Sequence, residues 1–288
     1  FCETQKHKGR PYRPLCCPQK GESQMIFLVS DTMEAWLSSA PEWMLNLPQW
    51  AYDICYDFYK SFIFDQRYLN ILTGLQNTLL LTFFALLVGL VLGVIVALVR
   101  VSWDKETRNH SRGIGKFFMG IANAICKVYL TVIRGTPVVV QIMIIFFVIM
   151  ADSNNKMLAG VLAFGINSGA YVAEIIRGGI MSIDEGQFEA GRSLGFGYVP
   201  TMVHIILPQA FKAVLPTLVN EFIVLLKETA VAGYVGLMDL TRAGSIIRGI
   251  AYVDFMPLLG VAVIYLVMVM FFTWLMGKLE RRLRNSDH

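Results

Sequence analysis

The chain has 288 residues, of which 55% are hydrophobic and only 16% are charged, and its mean hydropathy is +0.55. An average soluble domain is about 45–50% apolar and about 25% charged, so this composition excludes an ordinary soluble globule and indicates a protein that crosses a membrane several times. The net charge of +4 does not require a nucleic-acid partner, because Lys and Arg residues of membrane proteins collect on cytoplasmic loops. Five cysteines without regular spacing predict no disulfide framework.

Two segments of different composition precede the first long apolar stretch. Residues 1–24 are basic, contain three cysteines and lack the apolar core of a signal peptide. We expect them to be a gene-start artefact, with Met25 as the true start. The alternative is a metal-binding tail with the ligands Cys2, His7, Cys16 and Cys17. Residues 25–70 are rich in aromatic side chains, which predicts an extracytoplasmic helix at the outer membrane interface, or less simply a docking site for an external partner.

Five apolar stretches follow, each long enough or nearly long enough to cross a hydrocarbon core that needs about 20 helical residues. The predicted spans are residues 68–99, 135–151, 157–180, 215–238 and 255–277. A basic loop separates the first two. The stretch 181–214 is too charged to lie in lipid and predicts a loop with helices of its own. The predicted fold of residues 71–288 is therefore an all-α membrane domain with five transmembrane helices.

The distribution of Lys and Arg predicts the orientation of these spans. After residue 70, thirteen lie on the side of the basic loop, the 181–214 loop and the C-terminal tail, and three lie on the other side. Because positive charge collects in the cytoplasm, the C-terminus and the 181–214 loop are predicted to be cytoplasmic and the N-terminus extracytoplasmic.

The most specific motif lies in the long loop and reads EAGRSLGFGYVPTMVHIILP, residues 189–208. Asp184 is suited to cap a short helix that begins near Glu185, and Gly195 can supply the left-handed residue that ends it. The spacing resembles the EAA loop of ATP-binding-cassette importer permeases, with Gly191 where the pattern has its second alanine. The alternative is an ordinary amphipathic loop helix that ends at a glycine.

The resemblance implies that this loop is a coupling helix, which sits in a groove of the ATPase subunit and transmits its closure to the membrane helices. Phe188 and Leu194 are the predicted apolar anchors, and Arg192 is a predicted polar contact. The full set of predicted coupling residues is Phe188, Glu189, Ala190, Gly191, Arg192, Leu194, Gly195, Ile205, Leu207 and Pro208.

Further blocks, from about residue 74 to the C-terminus, resemble the polar amino acid subfamily of these permeases: GLQNTLLLT, IRGTPVVVQ, SGAYVAEIIRGGI and NEFIVLLKETAVAGYVGLMDLTRAG. The resemblance implies a permease subunit of an importer for a polar or basic amino acid, paired with an identical or paralogous permease. Its other partners would be an ATPase dimer that holds ATP and Mg, a solute-binding protein outside, and membrane lipid. The chain has no phosphate-loop, metalloprotease or nucleophile-elbow motif, so we expect no cofactor, metal or catalytic residue of its own.

Charged residues inside spans are costly and indicate a pathway or a paired site. Glu174 and Arg177 are three apart on one helix face. One hypothesis is that Arg177 binds the substrate carboxylate while Glu174 or Asp239 meets the ammonium, and the other is a mutual ion pair. The charged and polar residues of the fourth span are predicted to line the pathway or a subunit interface: Asn220, Glu221, Lys227 and Glu228.

Two other classes of function use the same residues. An ion-coupled carrier would bind protons or sodium at the intramembrane acids, but no internal repeat is detectable in the chain. An integral-membrane enzyme would use Glu174, Arg177 and Asp239 for acid-base chemistry, but no nucleophile or metal set accompanies them.

Overall fold

The computed structural model describes residues 31–38, 44, 47–108, 114–153 and 155–285, and all regular structure within them is helical. The predicted gene-start segment, with its alternative metal ligands, lies outside the described residues. The helices are α1 (31–38), α2 (Gln49–Phe58), α3 (Tyr68–Arg108), α4 (Ile114–Gly135), α5 (Val138–Ile144), α6 (Lys156–Met181), α7 (Glu185–Ser193), α8 (Tyr198–Thr201), α9 (Leu207–Glu228), α10 (Leu240–Ala251) and α11 (Phe255–Asn285).

Shorter helical turns extend several of these elements. π-helical turns follow α2, α5 and α8, at Tyr59–Ile63, Ile145–Ile149 and Met202–Ile206, and 3-10 turns lie at Phe64–Gln66 and Thr229–Val235. In the described part of the chain, five helical stretches are long and apolar enough to cross a membrane: Tyr68–Asp104, Gly115–Gly135, Lys156–Met181, Tyr198–Val235 and Phe255–Arg282. The predicted all-α fold with five candidate membrane helices is confirmed.

The second candidate span is not where the sequence analysis puts it, and the predicted span at 135–151 is wrong. That region holds only the apolar helix Val138–Ile149, which at about 18 Å is too short for a hydrocarbon core of about 30 Å. The predicted basic loop instead contains α4. The prediction missed α4 because its basic residues Lys116, Lys127 and Arg134 interrupt the apolar sequence. In the helix these residues share one face, and Phe117 and Ile125 are exposed on another, apolar face.

Helices α3 and α6 run side by side in the same direction. Gly89 on α3 lies against Ser168 on α6, and Gly93 lies against Val172 one turn further along both helices. A Cβ atom on Gly93 would lie 2.5 Å from Val172 Cγ1, so the close approach of the two helices requires glycine there. We name the two ends of the bundle after α3: the Tyr68 end and the Arg100 end.

The return between these parallel helices is shared by α4 and α5. Arg134, near the end of α4, contacts Glu174 toward the Arg100 end. Ile142 and Ile145 pack with Leu81 and Phe164 nearer the Tyr68 end. A break at 135–137 separates the two helices, where Pro137 precedes the first residue of α5. α4 and α5 therefore lead the chain from the Arg100 end back to the Tyr68 end.

The remaining helices complete the bundle. α9 runs against α6, since Gly179 lies next to Val214 and Ser168 next to Glu221. α10 packs across the Tyr68 end, where the Leu240 amide donates to Thr78 Oγ1. α7 and the following turn pack at the Arg100 end, around the buried Ile180, Ile206 and Val101.

The described residues between 31 and 66 pack at the Tyr68 end. Trp36 of α1 is only 4% exposed and lies against the rings of Tyr52, Tyr56 and Tyr59. Exposed apolar residues follow one face of α2, namely Trp50, Ile54 and Phe58. An apolar stripe of this kind suits a helix that lies at a membrane interface, which remains a prediction.

Candidate functional site

Helix α7 has a defined start and a defined stop. The Asp184 carboxylate accepts a hydrogen bond from the Gly186 amide at 2.6 Å. At the other end Gly195 has φ +81°, its amide donates to the Arg192 carbonyl, and the Phe196 amide donates to the Gly191 carbonyl. These two bonds and the left-handed glycine form a Schellman stop. The cap and the helix stop expected from the sequence are confirmed.

Close packing explains why Gly191 replaces alanine in the motif. A Cβ atom there would lie 2.6 Å from Thr201 Cγ2, so the turn that follows α7 can fold back onto the helix only if this residue is glycine. Phe188 packs from the other side against the buried cluster around Val101 and Ile206. The helix is thereby fixed to the Arg100 end of the bundle.

The two predicted anchors differ in what they contact. Phe188 is half-buried against its own bundle, whereas Leu194 is 72% exposed. Exposed apolar residues continue beyond Leu194 and form what we call the α7 patch: Leu194, Phe196, Val199 and Val203. Of the other predicted coupling residues, Ile205 is half-buried, and the exposed ones are Glu189, Ala190, Arg192, Leu207 and Pro208.

Glu174 and Arg177 belong to a chain of four charges that links three helices. Arg177 Nη2 lies 3.2 Å from Glu174 Oε2, and Arg177 Nη1 lies 3.7 Å from Asp104 Oδ2 on α3. Glu174 Oε2 is also 3.9 Å from Arg134 Nη1 on α4. The predicted pairing of Glu174 with Arg177 is present, and the outer two members, Asp104 and Arg134, were not predicted.

Asp239 lies far from this cluster. It is fully buried at the start of α10, where its oxygens accept hydrogen bonds from the Thr241 and Arg242 amides at 3.1 and 2.9 Å. Its backbone lies against Gly74, which is about 45 Å along α3 from Asp104. The structure therefore does not bring Asp239 together with Glu174 and Arg177. Burial raises the pKa of the Asp239 carboxyl, and the two amide hydrogen bonds oppose that shift.

Polar side chains also meet in the middle of the bundle. Ser168 Oγ donates to Glu221 Oε1 at 2.9 Å, and Asn167 Nδ2 donates to Gln141 Oε1 at 2.9 Å. Glu221 is buried and Glu228 is half-buried, whereas Asn220 and Lys227 are exposed. The sequence analysis missed the three partners because each is a single uncharged residue in an apolar run: Gln141, Asn167 and Ser168.

A cavity of about 380 Å³ opens between α3, α4 and α6 at the Arg100 end. We call it the basic cavity because three of its lining residues are cationic. Its polar wall consists of Arg100, Lys127, Thr131, Arg134 and Glu174, and Leu130 and Gly135 complete it.

Residues 89–285 match the model of a protein family described as the inner membrane component of binding-protein-dependent transport systems. The chain belongs to this family. It is thus a multi-pass membrane permease. The match runs from Gly89 in α3 to the end of α11, and so includes α7, the charge cluster and the basic cavity. The 31–66 segment lies before it.

Named relatives cover the same part of the chain. The arginine transport system permease protein ArtQ of Bacillus subtilis is 37% identical over 75% of this chain and 94% of its own length. The glutamine transport system permease protein GlnP of Escherichia coli K12 is 36% identical over 74% of this chain and 93% of its own length.

Solved structures agree in fold. A chain from a crystal structure of an amino acid ABC transporter with histidines is 41% identical, has a TM-score of 0.65, and matches 74% of this chain and 94% of its own. A chain from an inward-facing methionine transporter, MetNI, has a TM-score of 0.61 at 20% identity over 76% of this chain and 98% of its own. The second likeness concerns the fold alone.

Proposed function

We propose that this permease is the membrane-spanning subunit of an ATP-driven importer that moves a polar or basic amino acid. The main support for the proposal is α7. This capped helix is fixed to one end of the permease bundle and has an exposed apolar patch beside it. Relatives named for arginine and glutamine transport support an amino acid as the substrate.

In this proposal α7 is the coupling helix and the α7 patch meets a groove of the partner ATPase. A short rigid helix transmits a push only if it is held at its own bundle, as Phe188 holds α7, and offers apolar surface to its partner, as Leu194 does. ATP and Mg would lie in the ATPase dimer. This chain would bind neither of them.

The Arg100 end would be cytoplasmic. When the three basic residues of α4 are left out of the charge comparison, ten Lys and Arg after residue 70 still fall at this end and three at the other. The positive-inside rule therefore gives the same orientation after the correction of the second span. The solute-binding protein would then dock at the Tyr68 end.

Transport would follow from a shift between outward-facing and inward-facing states. Each partner must bind the two states with different affinity, since a partner with equal affinity shifts nothing. The liganded binding protein and ATP would favour the outward-facing state, and hydrolysis would return the permease inward. A second copy of the chain or a paralogue would supply the other half.

For the pathway we propose two polar levels within each permease. Glu221 with Ser168 would form the level at mid-bundle, and Asn220, Lys227 and Glu228 of α9 would line the pathway or the subunit interface there. Arg177 and Glu174 would form the level nearer the Arg100 end, where Arg177 meets the substrate carboxylate and Glu174 its ammonium.

The test is uptake by proteoliposomes that contain the permease, its ATPase and its binding protein. We expect labelled amino acid to accumulate only when ATP and binding protein are both present. Uptake that continues with an ion gradient and no ATP would instead indicate a carrier. Conversion of the amino acid without accumulation would indicate an enzyme.

A further inference from the structure

The basic cavity holds more positive charge than its surroundings balance. Arg100 Nη1 donates to the neutral Asn123 at 2.8 Å, and its Nε is buried without a hydrogen bond to a described residue. Lys127 makes no hydrogen bond or ion pair with any residue that the structure describes. Arg134 has one carboxylate near it, that of Glu174 at 3.9 Å, which it shares with Arg177. Among the described residues, Glu174 is therefore the one carboxylate that lines the cavity beside its three cations, and it also pairs with Arg177.

The cavity lies at the depth of lipid headgroups. From Tyr68 to Arg100, α3 extends about 48 Å without a charged residue. A bilayer is about 40–45 Å thick with its headgroups, and spans tilt by about 20° on average. When Tyr68 lies at one interface, Arg100 therefore lies at the headgroup level of the opposite leaflet.

Apolar surface borders the cavity on the same helix. Lys127 and Thr131 line the cavity, and the residue after each of them, Val128 and Val132, is exposed by 63% and 52%. Gly120 lies against Trp103 and Leu130 packs with Val96, so α4 runs from the headgroup level into the bilayer and Val132 lies deeper than Val128. A ligand with one anionic group and long apolar chains would satisfy both surfaces at once.

We propose that the basic cavity binds the phosphate headgroup of an anionic phospholipid, with the acyl chains lying against Val128 and Val132 of α4. Basic pockets between membrane helices near the cytoplasmic surface suit anionic headgroups because the phosphate meets fixed cations out of bulk water. The site lies at the break between α4 and α5, so a bound lipid would stabilise this break.

The test compares two lysines of α4. Lys127 faces the cavity, and Lys116 lies about three helical turns before it, outside the cavity lining. The permease with its ATPase would be purified from membranes of phosphatidylglycerol and phosphatidylcholine, and retained lipid counted by native mass spectrometry. We expect selective retention of phosphatidylglycerol. Lys127→Gln should weaken it about fivefold, the change expected for one basic residue at an anionic membrane surface, and Lys116→Gln should leave it unchanged.

Equal retention by the Lys127→Gln variant and the unaltered permease would overturn the proposal. So would an equal loss in Lys116→Gln, which would indicate general surface attraction. Thermal unfolding separates the ligand sources: short-chain phosphatidylglycerol should raise the Tm through Lys127, while inorganic phosphate and the transported amino acid should not. A Lys127-dependent shift with either of these would contradict a lipid site. None of these measurements needs transport, so they can reject the lipid site without rejecting the proposed transport function.

Discussion

The carboxylate of Asp239 holds the first turn of α10 with one backbone hydrogen bond to each oxygen. A side-chain cap of this kind contributes about 1 kcal/mol of stability, and alanine removes it. Asparagine keeps an acceptor oxygen and carries no charge to bury. Its NH2 group cannot accept the second bond, so one of the two is lost. We therefore expect Asp239→Ala to lower the free energy of unfolding by about 1 kcal/mol, and Asp239→Asn to be more stable than Asp239→Ala at neutral pH, measured by thermal unfolding in detergent.

The pH dependence of that comparison has a definite sign. Burial raises the pKa of Asp239, so the folded chain binds its proton more tightly than the unfolded chain does. The contribution of this group to stability is therefore present below the ordinary pKa of aspartate and falls as the pH rises through the raised value. The stability of Asp239→Asn relative to the unaltered chain should therefore rise with pH over that interval. A cap role would be contradicted if asparagine were no better than alanine throughout.

Arg177 is held by Glu174 on its own helix and by Asp104 on α3. If it also meets the substrate carboxylate, Arg177→Lys keeps the charge but loses the planar fork and should weaken uptake, while Arg177→Ala should abolish it. Assembly with the ATPase and basal hydrolysis should persist in both variants. The measurement is uptake by reconstituted complex beside basal ATPase activity.

A double variant distinguishes recognition from a structural pair. Glu174→Gln with Arg177→Met removes both charges and leaves Asp104 and Arg134 half-exposed, where water can solvate them. We expect uptake to stay lost. Recovery of uptake in the double variant would mean that the two residues only neutralise each other, and the substrate role of Arg177 would be abandoned.

Residue spacing predicts partners only within one element. The pair of Glu174 and Arg177 follows from their separation by three on a helix. Asp104 and Arg134 come from other helices, and no local period links them to Arg177. Asp239 shows the opposite case. Its charge suggested a substrate contact, whereas its position directly before a helix makes it an N-cap.

At the scale of one element, α7 depends on the left-handed conformation of Gly195. A non-glycine residue there costs roughly 1–2 kcal/mol, and a β-branched one fits worse still. Gly195→Val should therefore disturb the helix stop and impair association with the ATPase or substrate-stimulated hydrolysis. Gly197 is the matched control, because its φ is −70° and the space around it is open.

Gly197→Val should behave as the unaltered permease in co-purification and in hydrolysis assays. If Gly195→Val also co-purifies with the ATPase and shows normal stimulation, α7 is not the coupling helix. An effect shared equally by both variants would point to the surface of this turn and away from its backbone conformation.

Helix α4 illustrates how charged residues can hide a helix from a search for apolar runs. Apolar runs without charge predicted the first and fifth spans well, because nothing in them competes with the signal. The predicted third span carries only Glu174 and Arg177, near its end. In α4 the basic residues interrupt every run, and only the 3.6-residue period separates the polar face from the apolar one. The second span was therefore predicted at the uncharged run 135–151. The α-helix there is short, because it begins after the break at Pro137 and gives way to a π-helical turn at Ile145.

At the scale of the whole molecule, the parallel packing of α3 and α6 is held by glycines. Gly93→Ala would place a Cβ atom against Val172 and force the helices apart, which in a tight core costs about 1–3 kcal/mol. Adding Val172→Ala removes the nearest atom, Cγ1, and should restore part of the loss. The recovery is partial because the Cβ of residue 172 and the Ala173 amide remain, at 2.7 and 3.0 Å. Thermal unfolding of the single and double variants measures this. No recovery in the double variant would contradict the assigned contact.

The orientation of the bundle gives the last prediction. The parallel direction of α3 and α6 puts the turn before α6 and the stop of α7 at opposite ends, whatever path α4 and α5 take between them. Asp152 in that turn and Ser193 at the end of α7 are both exposed, so a cysteine at either position is accessible. The positive-inside rule puts Ser193 in the cytoplasm.

In a background without the native cysteines, Asp152→Cys should react with an impermeant thiol reagent added to intact cells whose outer membrane, if present, is permeabilised. Ser193→Cys should react only after the cells are opened, because its side of the bundle faces the ATPase. Labelling of both positions after opening controls for accessibility. The reverse pattern in intact cells would put α7 outside, where no ATPase could reach it, and the coupling role of α7 would fall with the orientation.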